Sequence, residues 1–92
     1  MELRKKTTMI VVHCAATKAS MDIGAAEIKK WHVDDNGWDD IGYHYIIKRG
    51  GLVEVGRPEG FQGAHAPAAN SKSIGVCLIG GMADDNGPEN NF

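Results

Sequence analysis

Tyr43-His44-Tyr45-Ile46-Ile47-Lys48-Arg49-Gly50-Gly51-Leu52-Val53-Glu54-Val55 is a pair of short apolar runs joined by two adjacent glycines. From Tyr43 to Lys48 the residues alternate, with Tyr43, Tyr45 and Ile47 on one face and His44, Ile46 and Lys48 on the other, which is the period of a strand. Arg49-Gly50-Gly51 predicts a tight turn, because glycine reaches the positive φ such turns need at no steric cost. Leu52 to Val55 is then the returning strand. A β-hairpin so defined makes the chain a sheet builder, and the flanking segments are read by what they add to that sheet.

Upstream, Thr8 to His13 predicts a buried strand, since Met9, Ile10, Val11 and Val12 form a continuous, partly β-branched apolar run that ends on His13. Asp22 is a suitable cap for a helix from about Ile23 to Asp35, in which Ala25, Ile28, Trp31 and His32 share one face and Asn36-Gly37 supplies the stop. Downstream, Gly56 to Lys72 is rich in Gly, Pro, Ala and Asn without either period, the mark of a functional surface loop. Ser73 to Ile79 predicts a second buried strand, and Gly80 to Phe92 carries neither pattern. The order strand, helix, hairpin, loop, strand predicts an α/β fold, a mixed sheet with a helix packed on one face. The second face then lacks a cover, and self-association through it is expected.

Ninety-two residues make a single domain, and the 42% hydrophobic and 24% charged content is that of an ordinary globular chain. A net charge of −2 and a pI near 6.0 provide no basic field for a phosphate backbone, so nucleic acid is not an expected partner. The apolar run Met9–Val12 is too short for a signal peptide or a membrane span, which predicts a cytoplasmic protein. Cys14 and Cys77 each lie inside an apolar run and read as small buried hydrophobes, and their spacing matches no zinc knuckle.

The residues able to do chemistry are few. His13, at the end of a strand and facing the sheet's rim, reads either as a metal ligand or as a hydrogen-bonded core histidine. Tyr43, after Gly42, reads either as a donor to a metal-bound water or an oxyanion, or as a packed aromatic. His44 points away from Tyr43 on the alternation and reads as structural, and His32 packs beside Trp31. His65 in the long loop is a candidate substrate contact. Arg57 at the hairpin's exit could bind a substrate carboxylate or be an ordinary surface arginine.

Val12-His13-Cys14-Ala15-Ala16-Thr17, Glu27-Ile28-Lys29-Lys30-Trp31-His32, Gly37-Trp38-Asp39-Asp40-Ile41-Gly42-Tyr43-His44-Tyr45, Gly56-Arg57, Gly63-Ala64-His65 and Ser73-Ile74-Gly75-Val76-Cys77-Leu78, in that order, resemble the zinc-dependent N-acetylmuramoyl-L-alanine amidases. That family includes the amidase-type phage lysozymes and the animal peptidoglycan recognition proteins. The resemblance runs from about Thr8 to Phe92 and rests on the ordered set, no single motif being strong. It implies hydrolysis of the amide between the lactyl group of N-acetylmuramic acid and the L-alanine of the stem peptide in peptidoglycan. It also implies Zn2+ as cofactor, with His13 as the first zinc ligand and Tyr43 as the catalytic tyrosine. The family's two other zinc ligands and its covering C-terminal helix are expected beyond Phe92, so that residues 1–92 form a single, incomplete amidase-like domain. A phage or prophage protein of this kind reaches the cell wall only after release. The alternative implied by the same resemblance is a non-catalytic module that binds peptidoglycan or regulates a partner such as a phage RNA polymerase.

Overall fold

Strands β1 (Met9–Cys14), β2 (Tyr45–Ile47), β3 (Val53–Val55) and β4 (Ser73–Leu78) form one sheet in the order β1-β4-β2-β3 in the computed structural model, which describes residues 1–92. The hairpin is where its sequence predicts it: Lys48 N–H donates to Leu52 O at 2.8 Å, and Gly50 and Gly51 turn with φ of 89° and 96°. β4, the last strand in the chain, lies in the middle and pairs in parallel with both β1 and β2. Parallel neighbours need crossovers. The helix supplies one between β1 and β2, and the loop 56–72 carries the chain from β3 back to the start of β4.

Register decides what each face carries. His13 is level with Cys77, which is level with Ile46, which is level with Glu54; Val11 is level with Gly75. These residues face the helix, and there Ile46 and Cys77 join Ile23, Ile28, Ile41 and Ile79 in the buried core. The opposite face carries Ile10, Val12, Cys14, Ile74, Val76, Leu78, Tyr45, Ile47, Val53 and Val55, with no helix packed over it and Ile10, Val12, Val53 and Val55 exposed. The expectation of a buried first strand is therefore corrected. β1 is an edge strand with one bare face, leaving Ile10 64% and Val12 61% exposed. Cys14, on that bare face, is exposed rather than buried, while Cys77 is buried as expected.

The helix α1 (Ala25–Lys30) continues as a wider π turn through Trp31–Asp35. It starts after Gly24 rather than at Asp22. Glu27 reaches back to the Gly24 N–H at 3.0 Å, and Glu54 of β3 accepts the Ala25 N–H at 2.9 Å, so two carboxylates cover the helix start. Asp22 instead pairs with Lys48 at 3.5 Å in solvent. The stop at Asn36-Gly37 holds, with Gly37 at φ 72°. No helix is long and apolar enough to cross a membrane.

Candidate active site

Four rings from four segments meet on the helix-facing side of the sheet. His13 comes from β1, Tyr43 from the residues just before β2, His65 from the long loop, and His32 from the π turn that extends α1. Ring centroids lie 5.3 Å apart for His13 and Tyr43, 5.0 Å for His13 and His65, 6.4 Å for Tyr43 and His65, and 5.7 Å for His32 and Tyr43. His13 is at the end of β1 as expected, and the His65 ring lies over the face of β4. Gly75 has no side chain to fill that space, and a Cβ there would meet the His65 ring at 2.5 to 2.7 Å.

The imidazoles are linked by hydrogen bonds. His13 Nε2 and His65 Nδ1 lie 2.8 Å apart and share one hydrogen, and His65 Nε2 lies 3.3 Å from Ser73 Oγ. Asn70 Oδ1 accepts the backbone N–H groups of His65 and Ala66 at 3.0 and 2.9 Å, which fixes the loop at this point. His32 Nδ1 accepts the Gly42 N–H at 2.8 Å, placing the residue next to Tyr43. His44 is fully buried, accepts the Gly75 N–H on Nδ1 at 3.0 Å and donates from Nε2 to Phe61 O at 2.7 Å, a neutral tautomer with both nitrogens satisfied. It is structural, as expected, yet it does not point away from the site: its ring is 6.0 Å from that of His65. The alternation fails here because the paired strand begins only at Tyr45, so Tyr43 is free to lean toward the same rings.

Burial sets the charge states. It pushes the Tyr43 phenol up to about 12, helped by the neighbouring thiols of Cys77 and Cys14. Burial, then the positive charge of protonated His13 and His44 and of Arg57, brings His65 down to about 4, and burial lowers His13 as well. Near neutral pH the rings are uncharged and Tyr43 keeps its proton, so its hydroxyl can donate a hydrogen bond but is no base. Beside the rings, a cavity of about 210 Å³ is lined by Trp38, Ala64, His65, Pro67 and Asn70.

Arg57 lies elsewhere than expected. It is 6% exposed, and Nε, Nη1 and Nη2 donate to the backbone carbonyls of Ile41, Gln62 and Asp40 at 2.8, 2.8 and 3.3 Å. It is not a surface arginine, and its guanidinium is engaged by the backbone of two chain segments. Asn70 and Ser73 join the site without a signal of their own in the sequence: a lone Asn in a polar loop does not disclose that it caps a site histidine, nor the first serine of a strand that it meets one.

The N-acetylmuramoyl-L-alanine amidase family model matches residues 3–91. The chain belongs to this family. The amidase-family chain is 52% identical over 89 residues to the endolysin of Klebsiella phage KP32, a match covering 97% of this chain and 58% of the endolysin, and the endolysin of Escherichia phage T7 gives the same figures. Among solved structures it resembles the N-acetylmuramoyl-L-alanine amidase LysC of Clostridium intestinale, with a TM-score of 0.75 and 32% identity over 84% of this chain and 49% of that one. A Tyr-to-Phe mutant of Drosophila peptidoglycan recognition protein LB, solved in complex with tracheal cytotoxin, superimposes with a TM-score of 0.76 at 26% identity over 97% and 56% of the two chains. The amidase-family chain thus spans 58% of the length of these two endolysins and about half of each of the two solved chains.

The family is generally zinc-dependent. The donor set of these residues does not fit a catalytic zinc. Such an ion takes three protein ligands, and no group of three His, Cys, Asp or Glu side chains is disposed to hold one. His13 and His65 supply two nitrogens, and their 2.8 Å separation is that of a hydrogen bond; two imidazoles on one tetrahedral zinc at ordinary Zn–N lengths stand about 3.3 Å apart. Cys14, next to His13 in sequence, projects from the opposite face of the sheet.

Proposed function

We propose that this chain is the part of a peptidoglycan amidase that carries Tyr43 and His13, in a protein that hydrolyses the amide between N-acetylmuramic acid and L-alanine. The observation that carries the reading is the grouping of the protonated Tyr43 phenol with the uncharged rings of His13, His32 and His65, the last of which lines a cavity, in a fold whose family model spans almost the whole chain. In the hydrolysis, water adds to the amide carbonyl, the C–N bond breaks and the alanine nitrogen leaves with a proton. A donor aimed at the developing oxyanion is the contribution a protonated phenol can make, and one such donor is worth about 10²–10³ in rate. Trp38, Asn70 and the edge of His65 form the wall against which the muramoyl-peptide rests, so His65 keeps its proposed substrate contact. The proposed role of His13 as a zinc ligand belongs to a protein in which further ligands are supplied.

One observation favours a second reading: the short donor set suits a module that binds peptidoglycan without cleaving it. The two separate in one experiment on purified sacculi. The chain is assayed alone and mixed with the remaining portion of a phage endolysin as a separate polypeptide, with zinc present, following sacculus binding and new L-alanine amino groups. The amidase reading expects no release by the chain alone, release by the mixture, and its loss in Tyr43→Phe. Binding with no release in the mixture would establish the module, and no binding would sink both readings. Calorimetric titration with zinc is the companion measurement; the donor set predicts no tight binding by the chain alone, unchanged in His13→Ala.

A further inference from the structure

Two backbone segments carry the rings that matter most, and they lie unusually close. Residues 40–43 lead into Tyr43 and residues 62–65 lead into His65. Ala64 N–H donates to Gly42 O at 3.0 Å, and a Cβ on Gly42 would collide with the Ala64 carbonyl. Between the segments lies the Arg57 guanidinium. It donates to Asp40 O and Ile41 O on one side and Gln62 O on the other, while its own backbone N–H donates to Tyr43 O at 2.8 Å. It has no carboxylate partner; the salt bridges of the chain all involve other residues. Burying a cation on carbonyl dipoles alone is a costly arrangement. What it supplies is geometric: a rigid fork of five donors bonds two chain segments at once, which an ammonium at a single point does not.

We propose that Arg57 is a positioning residue: its guanidinium locks the segment carrying Tyr43 to the loop carrying His65, and so sets the separation of the two rings. Its bearing on hydrolysis rests on the amidase reading above, whereas the clamp itself does not. Arg49 provides the control inside the same molecule. It too donates to three backbone carbonyls, those of Thr17, Met21 and Asn91 at 2.9, 3.0 and 2.8 Å, in a part of the fold away from the rings.

The test uses the 92-residue chain labelled with 15N-histidine and ring-labelled tyrosine, read by NMR with no substrate or metal. Arg57→Lys is expected to shift or broaden the His13, His65 and Tyr43 ring signals, while Arg49→Lys lowers the melting temperature and leaves those signals in place. Unmoved signals in Arg57→Lys, or equal movement in both variants, would overturn the proposal. Should Arg57→Lys not fold, native-state hydrogen exchange on the unaltered chain decides. The Arg57 and Ala64 amides, each donating to residues 42–43, are expected to exchange through one common opening, and distinct opening free energies would overturn the clamp. In the endolysin mixture that hydrolyses sacculi, Arg57→Lys is expected to lower kcat about tenfold or more with KM within about threefold. A substrate-carboxylate contact would instead raise KM. A mixture without activity removes only this last readout and leaves the NMR result to stand.

Discussion

Replacing Gly75 by alanine tests the construction of the site with a single methyl group. The new Cβ would stand 2.5, 2.6 and 2.7 Å from three atoms of the His65 ring. Comfortable carbon contacts begin at about 3.5 Å, so the ring has to retreat by about 1 Å. A retreat of that size takes the bond between His13 and His65, now 2.8 Å, out of hydrogen-bonding range. Overpacking costs about 1–3 kcal/mol and the lost bond about 1 kcal/mol, against a gain of about 0.4–1 kcal/mol from stiffening the unfolded chain, since Gly75 is not in the left-handed region. The net loss is about 2 kcal/mol, which for a domain of this size lowers Tm by roughly 8–16 °C. The assay is thermal unfolding by circular dichroism beside 15N-histidine NMR. Gly60→Ala, where the added Cβ meets nothing within 4 Å, is the control and should fall within about 0.5 kcal/mol of the parent. The pair Gly75→Ala with His65→Ala should recover the overpacking part, because the methyl group then has room. If Gly75→Ala melts with Gly60→Ala and keeps its histidine signals, the packing of His65 on β4 is wrong.

Three further outcomes follow from the same structure. His65 is brought down to about 4, and His13, His32 and His44 are lowered too; between pH 6.5 and about 4 the unfolded chain therefore binds protons that the folded chain does not. The stability these neutral imidazoles hold above pH 6.5 is lost as pH falls through that window, so Tm should drop from pH 7 to pH 4.5, with a shallower slope in His65→Gln; a flat profile would refute the burial of these rings. Cys14 is exposed, while Cys77 is buried with its thiol pushed up to about 11, so a thiol reagent at pH 7.5 should modify one cysteine in the native chain and both in denaturant. The bare sheet face, with Val12 and Val55 61% and 69% exposed, should drive self-association visible as a sedimentation coefficient that rises with concentration. Val12→Lys should suppress the association while leaving Tm within a few degrees, and a concentration-independent monomer would count against the role given to that face.

The elements were legible because each rests on a local rule. Two glycines between alternating runs give the hairpin, and Asn36-Gly37 ends a periodic stretch at the residue where the chain turns left-handed. The missed features share a different physics, in which a partner distant in sequence overrides the local preference. Asp22 is the better cap by residue type, yet Glu54, which follows the helix start by 29 residues, takes the Ala25 N–H and helps fix that start after Gly24. An apolar run such as Met9–Val12 reads as buried, but strand order leaves β1 at the edge, and strand order comes from β4 inserting between β1 and β2.

The same division runs through the site. His13 and Tyr43 stand out in the sequence by the residues beside them, and the structure brings their rings together. What the sequence could not disclose is the support beneath them. Gly75 reads as a weak point in a strand, whereas its missing side chain is the seat of His65. Arg57 reads as a charge seeking a carboxylate, whereas it meets three carbonyls from two segments. Both are residues whose role lies in what they leave room for or tie together, and neither property is written in a residue's own chemistry. A substitution at either position should therefore disturb the rings without touching one of them, which separates a site built by packing from one that is merely a list of reactive side chains.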